Sequence, residues 1–350
     1  MLLFGFVVFA IVFIYFLSIS SPGAVPGQAE AEAVRAEAYY AYQENYWRYN
    51  ESVSEYEFML ISDMDKMSKE GEKTWVGVMK GGVLVRDHDG AYQVQWKFEK
   101  KLKSAYNEAG RGMELSELTY FNGKLLTCDD RTGIIFEILV EETIVVPRFV
   151  FTTGDGNTDK GFKCEWMTVV HDKLFVGSIG KEFTTNGKIE NLGSQWIKTI
   201  DTQGRVEHIF WREKYEELRK HLKVEYPAYM VHEAIMWEPR KKHWVVLPRR
   251  YSTEPYDEKL DEEKGTNIFL LASPDFKRIE TGEIGKFDPL KGTSSFKFVP
   301  FREGEILQLK TIEAGDTVES YLSVVNLNTG KVLMEDIKVG DVKFEGVEFI

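Results

Sequence analysis

The sequence predicts an all-β protein, and the fold that fits it best is a five-bladed β-propeller. Short apolar or alternating segments are separated by turn dipeptides such as Asn122-Gly123 and Asn186-Gly187, which is the pattern of antiparallel strands joined by tight turns. Sustained helical periodicity is confined mainly to residues 211–222, which we expect to be an insertion between strands. Runs of related character also return at roughly the length of one propeller blade.

The clearest strand patterns occupy residues 56–62, 82–86, 92–96, 124–127, 133–138 and 173–177. The units Phe121-Asn-Gly-Lys-Leu125 and His171-Asp-Lys-Leu-Phe175 resemble each other, and each is a tight turn that enters a strand. This weak internal repetition favours blades of about 40–50 residues, and a six-bladed ring with compact blades stays open. Residues 249–264 are polar and include Pro255, so we expect a long surface loop there.

The N-terminal segment is apolar and uncharged over residues 1–20. A helix of about 20 apolar residues spans a bilayer, so we expect a signal anchor or a signal peptide that is cleaved after export. Residues 21–55 then form a stalk or linker, and the folded domain takes residues 56–350. A glycosylation sequon at Asn50-Glu-Ser52 agrees with the secretory pathway. The predicted location is a Golgi or endoplasmic reticulum membrane with a luminal domain, or the cell exterior after cleavage.

Charge and cysteine content narrow the function classes. A net charge of −12 argues against a nucleic acid polymer as partner, because phosphate neutralisation needs a basic face. The two cysteines, Cys128 and Cys164, cannot form a disulfide framework or a Cys-x-x-Cys metal motif. A single bridge between them and two buried thiols are both open.

Five runs each place one oxygen-bearing side chain among apolar neighbours. The oxygen donors, at intervals of 49, 68, 61 and 51 positions, are Ser116, Glu165, Glu233, Ser294 and Glu345. The inner strands of a propeller line a central channel, so one donor from each blade can reach a common axis. Oxygen-only ligands select hard cations, and flexible ligation favours Ca²⁺ over Mg²⁺. The alternative is that these side chains are buried and hydrogen-bonded without any cation.

Motifs spread over residues 56–350 also resemble those of a known family. They include Leu60-Ile-Ser-Asp-Met-Asp65, Asp129-Asp-Arg-Thr-Gly133, Tyr229-Met-Val-His-Glu233 and Phe344-Glu-Gly-Val-Glu-Phe-Ile350. The chain is similar to the soluble calcium-activated nucleotidases, or apyrases of the blood-feeding bug salivary type. The resemblance implies a five-bladed propeller with a central calcium that hydrolyses nucleoside di- and triphosphates. It also implies that the same five donors ligate the calcium. Cys164 and Phe183 depart from the family pattern, which has a small residue and a tryptophan there.

Acidic and basic side chains near these motifs suit phosphoanhydride hydrolysis, which needs neutralised phosphates and an aligned water. The candidate catalytic carboxylates are Asp63, Asp65, Glu114 and Asp130. Among them, Asp63 and Asp130 are the preferred groups for water activation. The candidate substrate-binding residues are Arg111, Arg131, Trp166, Lys181, Arg249 and Arg250. Trp166 is the candidate wall for the base, with a core tryptophan as the alternative, and for each cation the alternative is a surface ion pair.

The predicted function is calcium-dependent hydrolysis of UDP, GDP and other nucleoside di- and triphosphates, including ADP and ATP, to the monophosphate and phosphate. One alternative is a non-catalytic propeller that calcium stabilises and that binds a protein or glycan partner. Another is a calcium propeller that hydrolyses lactones or esters, although such an enzyme would not need so many cationic side chains. A homodimer is a further expectation.

Overall fold

The computed structural model describes residues 52–350, and within this range the chain folds into five four-stranded antiparallel sheets. Each sheet is one blade. Blade 1 contains β1 (Glu55–Ser62), β2 (Trp75–Arg86) and β3 (Tyr92–Ser104), and its innermost strand is the final one, β22 (Phe344–Phe349). The first and last strands therefore pair and close the ring.

The other four blades follow in chain order, with the innermost strand first. Blade 2 consists of β4 (Leu115–Phe121), β5 (Lys124–Asp129), β6 (Ile134–Leu139) and β7 (Ile144–Val150). Blade 3 consists of β8 (Trp166–Val170), β9 (Lys173–Gly177), β12 (Trp196–Asp201) and β13 (Val206–Phe210), and the hairpin of β10 (Phe183–Thr185) and β11 (Lys188–Asn191) is inserted in it. Blade 4 consists of β14 (Tyr229–Glu238), β15 (His243–Ser252), β16 (Ile268–Ala272) and β17 (Ile279–Glu283). Blade 5 consists of β18 (Lys291–Phe298), β19 (Glu305–Ala314), β20 (Thr317–Asn326) and β21 (Val332–Gly340).

One α-helix lies in the described residues: α1 (Arg212–His221), between blades 3 and 4. It buries Tyr215 and Leu218 in an apolar cluster that includes Trp166, Trp211 and Trp244. The prediction of a helical insertion at 211–222 is confirmed. Three short 3₁₀ turns complete the regular structure, at Asp65–Ser68, Gly193–Gln195 and Leu260–Glu263.

Apolar side chains between neighbouring blades hold the ring together. Fully buried Phe58 and Leu60 of blade 1 pack in the same cluster as Leu309 and Leu322 of blade 5. Cys128 and Ile135 of blade 2 pack with side chains of blade 3 in a second cluster. Each blade thus buries both of its faces, which is the packing expected of a propeller.

The structure confirms the all-β class and gives five blades, not six. The predicted turns at Asn122-Gly123 and Asn186-Gly187 join β4 to β5 and β10 to β11, with positive φ at all four residues. The predicted loop at 249–264 is wrong at its start, because Arg249 to Ser252 belong to β15. Their side chains are polar, but the backbone still pairs with β14.

The predicted apolar helix at residues 1–20 and nearly all of the predicted stalk lie outside the described residues. Within residues 52–350, no helix combines the length and apolar character that crossing a bilayer demands.

Candidate active site

Four of the five predicted metal ligands lie at irregularities in the inner strands. Pairing between β4 and β5 shifts across Ser116, and pairing between β22 and β1 skips Glu345. Glu233 of β14 and Ser294 of β18 are likewise left without a cross-strand partner. A β-bulge redirects the side chain of the extra residue and is common beside active sites. Glu165 immediately precedes β8, where its backbone N–H donates to the carbonyl of Gly177 (2.8 Å).

Three of these positions, Glu165, Glu233 and Glu345, line a polar pocket of about 160 Å³. Every blade contributes to its lining, which contains eight acidic and four basic side chains. The lining residues are Asp63, Asp65, Asp130, Lys163, Glu165, Val231, Glu233, Arg249, Arg250, Asp261, Glu313, Lys343 and Glu345. We call this the axial pocket. Its surplus of negative charge makes it a site for cations and for the cation complexes of anions.

Arg249 lies between three of the pocket carboxylates. Its Nη1 donates to Glu345 Oε1 (2.7 Å) and also to Glu233, while Nη2 donates to Glu313. Ser116 Oγ approaches Glu345 Oε2 at 3.4 Å. Ser294 Oγ is 2.8 Å from Thr311 Oγ1 in the buried interior. Three of the predicted ligands therefore line the pocket, and Ser116 reaches one of them.

Lys163 links two other pocket carboxylates, because its Nζ donates to Asp130 Oδ2 (2.5 Å) and also pairs with Glu165. On the opposite side, Lys343 Nζ pairs with Asp63 Oδ2 (2.6 Å) and Asp65 Oδ2 (2.8 Å). Sequence reasoning missed both lysines. The signal was a repeated Lys-x-Glu, since Lys163 and Lys343 each stand two positions before a predicted ligand.

Three predicted catalytic carboxylates form a compact group. One oxygen from each of Asp63, Glu114 and Asp130 lies within 4.8 Å of the other two, and all three residues are buried. Glu114 accepts two hydrogen bonds from Arg111, which also donates to Asp65 (3.0 Å). Asp130 Oδ1 is buried and has no hydrogen-bond partner among the described residues. Within this group of three, Asp130 is therefore the residue with a carboxylate oxygen that accepts no hydrogen bond from the described residues.

Burial and like charges shift the acidities in the pocket. Burial raises the pKa of Glu165 well above its ordinary value, and neighbouring carboxylates raise it further although Lys163 opposes them. Burial likewise raises the pKa of Glu345 to about 7 and that of Glu114 to about 8. Burial would also raise the pKa of Asp130, but Lys163 and the other nearby cations outweigh burial and lower it. Asp130 is therefore ionised near neutral pH.

The predicted substrate-binding residues divide between the pocket and its surroundings. Arg250 lines the pocket beside Asp261, with Nε 3.7 Å from Oδ2. Arg131 follows Asp130, and its Nε is buried without a hydrogen-bond partner in residues 52–350. Lys181 lies outside the pocket lining, with its ammonium 3.8 Å from the centre of the Tyr256 ring. A phosphate role for Arg111 or Lys181 stays a prediction.

Trp166 cannot form the wall of a base site in this structure. Its side chain is 0% exposed, packs against Trp211, and donates from the indole N–H to the Ser178 carbonyl (3.1 Å). The residue follows Glu165 directly and begins β8, so its side chain enters the core between the blades. The base-wall assignment is therefore corrected to a core position.

Cys128 and Cys164 form a disulfide bond, which resolves the question that their spacing left open. The bond connects the end of β5 in blade 2 to the segment that enters β8 in blade 3.

The donor set of the axial pocket fits a hard divalent cation. Its oxygen-bearing side chains are carboxylates, and neither histidine nor cysteine is among its lining residues. The raised pKa values of Glu165 and Glu345 mean that these buried carboxyls need additional positive charge to ionise fully near neutral pH.

The fold and this pocket define a class: a five-bladed propeller with a charged axial site to which every blade contributes. A family model described as Apyrase matches residues 63–350, and the chain belongs to the apyrase family. It is 44% identical to an apyrase of Cimex lectularius, over 83% of this chain and 81% of that protein. It is 41% identical to soluble calcium-activated nucleotidase 1 of Rattus norvegicus, over 84% and 74% of the two chains. It is 37% identical to apyrase apy-1 of Caenorhabditis elegans, over 86% of each.

Proposed function

We propose that this protein is a calcium-dependent hydrolase of nucleoside di- and triphosphates, with UDP, GDP and ADP as principal substrates. The single observation that supports this most strongly is the convergence of eight acidic and four basic side chains from five blades on one pocket. The names of the relatives, apyrase and calcium-activated nucleotidase, agree with nucleotide hydrolysis and with calcium.

The calcium would be held by Ser116, Glu165, Glu233, Ser294 and Glu345, in the order in which the blades present them. When bound, it supplies charge neutralisation to phosphate oxygens and polarises the phosphorus. Because Arg249 already contacts two of these carboxylates, it would share them with the ion. The buried group of Asp63, Glu114 and Asp130 is the second place in the pocket region where a cation could be held.

The protein's own residues then account for phosphate binding and water activation. Arg131 lies beside Asp130, and Arg250 lines the axial pocket beside Asp261. A guanidinium can donate two parallel hydrogen bonds to phosphate oxygens. Asp130 orients the attacking water through Oδ1 and accepts its proton as the water oxygen bonds to the terminal phosphorus. The bond from that phosphorus to the bridging oxygen breaks and orthophosphate forms. A diphosphate releases the nucleoside monophosphate in this step, and a triphosphate releases the diphosphate, which a second round hydrolyses to the monophosphate. Asp130 is preferred over Asp63 because both oxygens of Asp63 are engaged, Oδ1 by the Asp65 N–H (2.7 Å) and Oδ2 by Lys343.

The disulfide supports a location in an oxidising compartment, because such bonds persist in secreted and luminal proteins and are rare in the cytosol. In the secretory lumen, the enzyme would remove the UDP or GDP that glycosyl transfer leaves behind. Outside the cell, it would clear ADP.

The test is phosphate release by the purified chain from UDP, GDP and ADP, each with calcium and with a chelator. We expect release that requires calcium, with magnesium as the matched control cation. No release from any nucleotide would refute the hydrolase and favour the propeller that only binds a partner. Hydrolysis of lactones or esters in place of nucleotides would favour the other alternative.

A further inference from the structure

The disulfide joins the two chain segments that carry one side of the axial pocket. Cys128 is followed by Asp129 and Asp130 at the end of β5, and Cys164 stands between Lys163 and Glu165. The two Cα atoms are 6.1 Å apart, and both cysteines are completely buried between blades 2 and 3. Three pocket residues therefore lie within two positions of one covalent bond.

An ion pair crosses between the same two segments. Lys163 Nζ donates to Asp130 Oδ2 at 2.5 Å, and the same ammonium pairs with Glu165. The side chain that holds the anionic Asp130 thus comes from the residue next to Cys164. If the two segments separated, this ion pair would lengthen and the free oxygen of Asp130 would move with it.

The backbone around Cys164 has few other constraints. Residues 162–165 lie outside any strand, with Phe162 N–H bonded to the Phe151 carbonyl (2.9 Å) at one end and Glu165 N–H bonded to Gly177 at the other. The Cys164 N–H reaches only the nearby Phe162 carbonyl (2.9 Å). The segment of Cys128 is better fixed, because Asp129 accepts backbone hydrogen bonds from Met113 (2.8 Å) and Arg131 (3.0 Å). The disulfide therefore ties a segment that is buried but not paired in a sheet to the end of β5, which is held by hydrogen bonds on both sides.

We infer that the Cys128–Cys164 bond is a positioning element of the active site, which fixes Lys163 and Glu165 relative to Asp130. This inference rests on the proposed hydrolase function. A bond that closes a separation of 36 residues also stabilises the fold by restricting the unfolded chain. That effect would raise the melting temperature without changing catalysis, so the two roles can be separated.

The chain is suited to this test because these are its only two cysteines. We would compare the wild-type chain with Cys128→Ala/Cys164→Ala at a temperature where circular dichroism shows both to be folded. We expect the kcat/KM for UDP to fall by about tenfold, since displacement of a catalytic group by about 1 Å can cost up to 10²-fold. We also expect the calcium concentration for half-maximal activity to rise several-fold, because Glu165 is a proposed ligand. Wild-type kcat, KM and calcium response with only a lower Tm would overturn the inference.

A double-mutant cycle with Lys163→Gln supplies a readout that a purely stabilising bond would not change. If the bond acts through Lys163, its removal should have a clearly smaller effect in the Lys163→Gln background than in the wild-type background. Equal factors in the two backgrounds would contradict action through this lysine.

Amide hydrogen exchange separates failure of this inference from failure of the proposed function. In the cysteine-free variant, the amides of residues 162–165 should exchange faster, while those of the hairpin at 183–191 in the same blade should not change. Unchanged exchange at 162–165 would overturn the inference even if the wild-type chain hydrolysed no nucleotide. If the variant does not fold, wild-type protein reduced with a phosphine in calcium replaces it in the same measurements. Alkylation and mass spectrometry would then report the extent of reduction.

Discussion

Two groups of buried charges lie on the inner strands of this propeller, and they differ in how completely hydrogen bonds within each group satisfy them. The first is the axial pocket. The second consists of Glu117 on β4, Lys297 on β18 and Glu348 on β22, which we call the Glu117 cluster. Both place carboxylates and a lysine or arginine deep in the protein, and burial raises the pKa of both Glu117 and Glu348 to about 7.

The Glu117 cluster is buried, and hydrogen bonds from neighbouring residues satisfy its carboxylates. Glu117 Oε1 accepts hydrogen bonds from Leu118 N (2.8 Å), Ser295 Oγ (2.9 Å) and Lys297 Nζ (3.3 Å). Glu348 accepts from its neighbouring backbone N–H of Phe349 (3.0 Å). The axial pocket has the same two-to-one ratio of acids to bases, but it opens to solvent, and Asp130 Oδ1 accepts no hydrogen bond from the described residues. Burial, a raised pKa and an excess of acids therefore do not identify a site by themselves, whereas an opening lined by incompletely satisfied carboxylates does.

The largest effect should come from a carboxamide in the axial pocket. We expect Glu165→Gln or Glu345→Gln to reduce nucleotide hydrolysis by at least about 10³-fold, because the proposed calcium loses a charged ligand that is worth several kcal/mol. Glu348→Gln is the matched control, and it should stay within about threefold of the wild-type rate. Phosphate release measures both. Equal losses in the pocket variants and the control would erase the distinction between the two groups.

Removing the negative charge of Asp130 should slow turnover without preventing calcium binding. Asp130→Asn is expected to lower kcat by about 10²-fold, the typical contribution of a general base. Calcium dependence should stay near that of the wild type. A wild-type rate would eliminate Asp130 from the mechanism. A matching loss of calcium response would instead assign Asp130 to the metal.

Calcium removal should destabilise the protein through the pocket alone. At a free calcium concentration of about 100 times Kd, binding adds about 2.7 kcal/mol to the free energy of unfolding. Scanning calorimetry should therefore show a Tm that falls by several degrees in a chelator. We expect Glu345→Gln to lose this difference and Glu348→Gln to keep it. A calcium-independent wild-type Tm would count against the ring of five ligands.

The Glu117 cluster should make the free energy of unfolding depend on pH. Between pH 4.5 and about 7, the folded protein keeps Glu348 protonated while the unfolded chain ionises it, so the folded state binds more protons. The free energy of unfolding should fall as pH rises through this window, by at most about 1.4 kcal/mol per pH unit. Denaturation in a chelator should show a shallower fall for Glu348→Gln. An identical slope in both proteins would contradict the assignment.

The sequence predicted which blade carries each predicted ligand better than it predicted the local backbone and the contacts of those residues. Spacing placed Ser116, Glu233, Ser294 and Glu345 one to a blade, because a repeated blade fixes the interval between equivalent positions. It did not reveal that these four residues lie at bulges, since an extra residue in a strand has no compositional mark.

Pairings across blades were also invisible to sequence reasoning. The contact of Arg249 with Glu345 spans 96 positions and joins blade 4 to the closing strand of blade 1. The assignment of Trp166 was wrong because adjacency to Glu165 in the chain does not place two side chains in the same environment. A strand sends consecutive side chains to opposite faces.

Because β22 closes the ring, it also determines when the protein can complete its fold during synthesis on the ribosome. Lys343 and Glu345 arrive with the strand that pairs with β1 and completes the ring. A nascent chain that has not yet been synthesised to Phe349 has neither a sealed propeller nor a complete pocket. Hydrolytic competence should therefore appear abruptly after translation passes this strand, and premature termination upstream of it should yield a product with no residual activity.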